Sequence, residues 1–180
     1  MKMKRADLGY FMKYKKELFD IYVEACSSEY MAQHVEIERE KKRIQSLFER
    51  EGYGFFGIQN GKLIGFVLAV PLLHDNLLPQ KIKEEYPVEK SLYISEMHIH
   101  REYRNKGVGT QLLRAFIEDV DREKYSYIFI RAGVKNIPAV RLYKKTGFIP
   151  VCEIEEKKIK IDRSGSFIMK KQYMVQKIIK

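Results

Sequence analysis

The segment RNKGVGT, residues 104–110, decides the fold. It stands between a strand-like run, residues 92–100, and a helical one, residues 107–120. In the helical run Val108, Leu112, Leu113, Phe116, Ile117 and Val120 recur on one side. A helix N-terminus carries unpaired N–H groups and partial positive charge, which suits an anion. Gly107 and Gly109 let a ligand come close to the backbone, while Arg104, Lys106 and Thr110 add two cations and a hydroxyl. A pyrophosphate fits that description. Residues 125–132 follow as a strand whose centre, Tyr127-Ile128-Phe129-Ile130, is apolar on both faces. Strand, helix and strand of these lengths make a βαβ unit with its two strands parallel.

Two common phosphate patterns are absent. The dinucleotide pattern G-x-G-x-x-G fails because position 112 is Leu, and G-x-x-x-x-G-K-[ST] occurs nowhere. This argues against a nicotinamide enzyme and against an NTPase. Farther along, residues 136–146 read as a short helix. Pro138 lies in its first turn and Gly147 just past its end, each where its backbone suits the position.

IHREYRNKGVGTQLL resembles motif A of the GNAT superfamily of N-acetyltransferases, [Q/R]-x-x-G-x-[G/A], through Arg104, Gly107 and Gly109. NIPAVRLYKKTGF is similar to that family's motif B through Asn136, Ala139, Leu142, Tyr143, Gly147 and Phe148. The two motifs occur in the family's order around a strand of the right type and cover roughly a third of the chain. The resemblance implies a mixed α/β fold. Its central sheet is mostly antiparallel, with one parallel pair of strands splayed to hold acyl-CoA and helices on both faces. It also implies acetyl-CoA as acyl donor and a primary amine as acceptor. In that reading the strand around Met97, His98 and Ile99 binds the pantetheine arm, through the backbone of Met97 and Ile99. The amides of Asn105, Lys106, Gly107, Val108, Gly109 and Thr110 hold the pyrophosphate beside Arg104, and Asn136 lies on the arm's other side.

Tyr143 matches the family tyrosine that protonates the departing thiolate, the alternative being a tyrosine that only packs. Glu96 is the candidate general base, the alternative being a structural ion pair. Strand alternation puts Glu96, His98 and His100 on one face unless a bulge intervenes. His98-x-His100 has no clear third partner for a metal, so no metal is expected. Acceptor contacts are expected from the loop 27–34, with Glu29 and Tyr30, and from the connection 71–90, with His74 and Asp75. An acidic lining there would suit a cationic amine.

The rest of the chain supplies the frame. Residues 11–26 repeat apolar positions at helical spacing, and residues 35–51 form a second, highly charged helix around Ile37, Ile44, Leu47 and Phe48. Residues 53–59 and 62–70 are strands joined by Asn60-Gly61, a strong hairpin signal. Residues 71–90 lack periodicity apart from one helical turn near 80–85. Residues 148–160 and 167–175 are the last strands, and an opening strand within residues 1–8 is weakly written. The whole reads as a single domain, residues 1–180.

The 180 residues are 45% hydrophobic and 32% charged, a globular balance with core enough to need no disulfide staple. Cys26 and Cys152 are therefore expected to be reduced and mostly packed. No apolar run reaches the ~20 residues that cross a bilayer, and no signal core follows the basic start, so a cytoplasmic protein without membrane partners is expected. The net charge of +10 favours anionic partners. Lysines 157, 158, 160, 170 and 171 are expected on outward-facing strand edges, and these edges leave room for a homodimer. No nucleic-acid recognition pattern accompanies the charge, so nucleic acid is not the expected partner. A non-catalytic acyl-CoA-binding regulatory module on the same fold is the alternative to an enzyme.

Overall fold

Asn60 and Gly61 both have positive φ, 51° and 77°, and close the hairpin that the sequence announces. Its arms are β2 (Tyr53–Gln59) and β3 (Lys62–Pro71), antiparallel with Gln59 opposite Lys62. The computed structural model describes residues 1–27 and 32–179. Before the hairpin come β1 (Lys2–Ala6), α1 (Leu8–Cys26) and α2 (Ile37–Glu49). After it come α3 (Gln80–Glu85), β4 (Ser91–Ile99), α4 (Val108–Asp119), β5 (Tyr127–Gly133), α5 (Ile137–Lys145), β6 (Ile149–Ile159) and β7 (Ser166–Lys177). The weakly written opening strand is real: β1 pairs along its whole length with β2.

The seven strands form one sheet in the order β1-β2-β3-β4-β5-β7-β6. Every neighbouring pair is antiparallel except β4 and β5, which are parallel and joined by α4. β3 is buried at every position after Lys62, as befits a central strand covered on both faces. On one face α1 and α2 pack Phe11, Leu18, Ile44 and Leu47 against Phe56, Phe66 and Tyr173 of the sheet. On the other face α4 and α5 bring Leu112, Leu113, Phe116 and Tyr143 against Leu92, Ile128 and Ile130. The molecule thus has three layers with a core on each side of the sheet.

Two features of β4 set up the site. Its pairing with β5 runs only from Ser91–Tyr127 to Ile94–Ile130, after which the two strands part. At that point β4 carries a bulge: Leu68 faces Glu96 while Ala69 faces Ile94, so Ser95 is an extra residue. The bulge resets the alternation. Tyr93 and Glu96, three residues apart, face the α1–α2 side, whereas Ile94 and Met97 face α4.

One expectation fails. Lys157, Lys160 and Lys170 are exposed, but Lys158 and Lys171 are turned inward. Both pair with Glu156, at 3.0 Å and 2.5 Å. The tip of the β6–β7 hairpin leans over the molecule and gives these two strands a partly covered face. His34 donates its amide to the Ile159 carbonyl at 2.9 Å, tying the segment before α2 to this tip.

Candidate active site

The parted ends of β4 and β5 open into a cleft of about 980 Å³, roofed by α2, the connection 71–90 and the β6–β7 hairpin. Tyr143, Glu96, Met97, His98, Arg104 and Asn136 all line it, whereas Ile99 and the loop residues Asn105 to Thr110 stand outside this lining. His74 and Asp75 line it too, while Glu29 and Tyr30 lie outside the described residues.

The loop into α4 is shaped for an anion. Asn105 and Gly107 have φ of 60° and 78°, the left-handed region that Asn and Gly enter most readily. Gly107 caps α4 without any side chain bonding the helix's first amides. A Cβ on Gly107 would meet nothing nearer than Gln111 Nε2 at 3.8 Å. Gly109 is different: a Cβ there would come within 3.1 Å of Leu142 Cδ2, so this glycine lets α4 pack closely against α5. Lys106 is exposed beside the loop. Arg104 donates from Nε to the Ile99 carbonyl at 2.9 Å and stands 3.9 Å from Glu24, which fastens the loop to the end of β4. Val108 is buried as the first residue of the helix, and Thr110 is half-buried.

The backbone of β4 beyond the bulge faces two ways. His100 donates its amide to Ile64 of β3, and backbone groups alternate edges along a strand. His98 therefore turns its backbone groups to β3, and Met97 and Ile99 turn theirs to the gap left by β5. Their side chains go to the α4 layer. The free amides, the glycine at the helix start and the flanking cations fit an extended acyl-CoA with a diphosphate at one end.

Glu96 is buried at the α1–α2 face of β4, at 8% exposure. One carboxylate oxygen accepts from the Arg43 guanidinium, and the other accepts from His98 Nε2 at 2.8 Å. Arg43 also reaches Glu40 at 2.7 Å, and Tyr22 donates to Glu40 at 2.8 Å. Burial by itself would raise the Glu96 carboxyl. The charge of Arg43 and the hydrogen bond from His98 outweigh it and hold the group at about 2. Tyr22 and Phe66 enclose the His98 ring, each with ring centres 5.4 Å from it. His100 sits beyond the strand end and accepts from the Glu102 amide.

Tyr143 lies on α5 across the cleft, 6% exposed, its ring against Phe148 at 6.1 Å between centres. Burial, and then the charge of Glu96, push its hydroxyl well above the usual phenol range. The hydroxyl has no hydrogen-bond partner among the described residues, so it is a protonated donor with nothing to donate to. Asn136 caps α5, its Oδ1 accepting from the Ala139 amide at 3.2 Å, and the residue lines the cleft.

A second buried cluster holds the roof. Asp75 is 8% exposed; it accepts from the Tyr173 hydroxyl at 2.7 Å and from Arg131 at 3.3 Å. The Arg131 guanidinium stacks over the rings of Tyr93 and Tyr173, 5.5 and 5.2 Å from their centres. Arg131 is the first residue of β5 after its pairing with β4 stops, so this cluster fills the base of the gap. Of the residues expected to give an acidic lining, Asp75 is paired with Arg131.

Sequence reading missed Arg43, Glu40, Arg131 and the paired Lys158 and Lys171. The spacing of Glu40 and Arg43 was the one local signal, since residues three apart on a helix meet. Among the described residues no group of three or more His, Cys, Asp or Glu could hold a metal ion, and no helix is long and apolar enough to cross a membrane.

Comparison with known proteins gives one consistent result. Residues 15–148 match the model of the acetyltransferase (GNAT) family. The chain is 29% identical over 103 residues to an uncharacterised N-acetyltransferase of Methanocaldococcus jannaschii, covering 57% of this chain and 42% of that protein. It is 27% identical over 107 residues to an N-alpha-acetyltransferase of Sulfurisphaera tokodaii, covering 58% of this chain and 61% of that one. The match thus spans less than two thirds of either relative. The fold superposes on yncA of Salmonella typhimurium, solved with its cofactor acetyl-CoA, with a TM-score of 0.72 at 14% identity, covering 100% of this chain and 95% of that one.

Proposed function

Since the chain belongs to the acetyltransferase (GNAT) family, whose acyl donor is acetyl-CoA, we propose that it moves an acetyl group from acetyl-CoA to a primary amine by direct attack. The observation that carries this reading is the meeting of Tyr143 and Glu96 in the cleft where β4 and β5 part. The amides of residues 105–110 would hold the diphosphate, with Lys106 adding charge, and the backbone of Met97 and Ile99 would bind the pantetheine arm like an added strand. Asn136 would contact the arm from α5. When bound, acetyl-CoA supplies the activated thioester carbonyl.

The protein's own groups then manage protons. Amine attack expels a thiolate, and the Tyr143 hydroxyl is the donor for it. Its raised pKa keeps it protonated through the neutral range, the state a general acid needs. The amine must lose a proton, and the Glu96–His98 pair is the proposed exit, reached through water. A carboxylate held at about 2 is a weak base, so Glu96 takes the proton only in passing and contributes less than Tyr143. Among acceptors an α-amine comes first in this proposal, because the Sulfurisphaera tokodaii relative is named for that activity.

The test is thiol release from acetyl-CoA over a panel of primary amines. In Y143F, kcat is expected to fall by about 100-fold, with acetyl-CoA affinity kept. An unchanged kcat would remove Tyr143 as the acid. Tight coenzyme binding with no transfer to any amine would favour a binding module instead.

A further inference from the structure

Every carboxylate that lines the acceptor side of the cleft already faces a cation. Glu36 is held by His34 and Arg163, Glu40 and Glu96 by Arg43, Asp75 by Arg131, and Glu156 by Lys158 and Lys171. None is left to receive an ammonium group. The reverse holds for the cations. Arg39, Lys42, Arg50 and Lys157 line the same cleft and make no ion pair within 4 Å among the described residues, although Glu36 and Glu38 lie near enough to Arg39 and Lys42 to feel their charge.

Their placement follows from the helix. Residues 39, 43, 46 and 50 fall at the i, i+4, i+7, i+11 spacing of a single face, and Lys42 stands beside it. All five line the cleft, so α2 presents a basic stripe to it, with Arg43 neutralised by Glu40 and Glu96 and with Arg39, Lys42 and Arg50 outside any close ion pair. Lys157 of β6 answers them from the opposite wall. Arg104 and Lys106 are separate, standing at the coenzyme loop. Unpaired cations at the rim of a concave site focus its field on anions.

We propose that the acceptor carries a carboxylate or other acidic group close to its reactive amine, bound by the Arg39–Lys42–Arg50 stripe and Lys157. This rests on the transferase reading above and names the substrate class of that same site. The acid group would sit at the rim and direct the neutral amine inward, past Glu96, to the thioester. A diamine with no acid group would meet these cations and only carboxylates that already face one.

Two matched pairs of acceptors test this, with acetyl-CoA and the full chain: alanine against alaninamide, and the peptides Ala-Glu-Glu and Ala-Gln-Gln. Within a pair the acid group is the intended difference, and rates are compared per neutral amine because the amine of alanine is more basic than that of alaninamide. Between the pairs, a free amino acid is told from an acidic peptide terminus. The acidic member of at least one pair is expected to have about tenfold higher kcat/KM, mostly through KM. In R39Q/K42Q that preference is expected to fall toward unity. Raising ionic strength is expected to erode it in the unaltered protein too, because rim charges are screened. Equal rates within both pairs, or a preference for the uncharged members, would overturn the inference and leave the transferase reading standing. No transfer to any amine, with coenzyme binding intact, would overturn both.

Discussion

Glu96 is the residue whose sequence and structure must be read together. Its place on the strand before the coenzyme loop was legible from motif spacing, and its pairing with His98 follows from alternation. Its ion pair with Arg43 was not legible, because 53 residues separate the two and nothing local links them. That pair decides what the carboxylate can do. Glu96 and Glu156 are both held at about 2 by the cations beside them, against 4.5 for an ordinary glutamate. The unfolded chain therefore takes up protons first as pH falls. The stability these groups contribute is complete above about pH 4.5 and is lost as pH falls toward 2. In E96Q the dependence of unfolding free energy on pH should flatten across that window, by one proton's worth of slope. Urea unfolding at a series of pH values measures it. The same variant should lose about 2 kcal/mol at neutral pH, less than for a fully orphaned charge because Glu40 still faces Arg43. Its kcat/KM should fall only about tenfold, without moving the acid limb of the rate profile, since a group near 2 does not titrate there.

At the scale of elements, local signals proved the most legible. Asn60-Gly61 gave the β2–β3 hairpin because both turn positions need positive φ, and the glycines at 107 and 109 marked the start of α4. The bulge at Ser95 carries no such signal; it shows only in the pairing, where β3 continues in step while β4 gains a residue. The contact between the connection 71–90 and β7 is also a tertiary event: Asp75 meets Tyr173 across 98 residues. Two variants probe these elements. G107A keeps open space around its new methyl group but forces a left-handed alanine. It should cost about 1 kcal/mol and weaken coenzyme binding by about tenfold, readable by denaturant melts and calorimetry. D75N should leave Arg131 stacked but without its carboxylate, and should lower stability by about 3 kcal/mol. If D75N melted like the unaltered protein, the roof would owe nothing to that cluster.

At the scale of the whole molecule, the net charge of +10 is distributed with a purpose that the sequence total cannot display. Part of it is spent inside, on Glu96, Asp75 and Glu156, and part stands free around the cleft. The fold class was legible because the βαβ unit and the two motifs lie in one contiguous third of the chain. The wall proposed to meet the acceptor was not, because α2, the connection 71–90, β5 and the β6–β7 tip come from distant stretches that only the folded sheet brings together. The central claim remains that the parted strands and the opening of α4 bind an acyl-CoA. Amide hydrogen exchange with and without coenzyme A tests it most directly. Binding should slow exchange in residues 95–99 and 105–112, and leave the β1–β2 edge unaffected. Unchanged exchange in both segments at saturating coenzyme, or protection confined to another surface, would contradict the account.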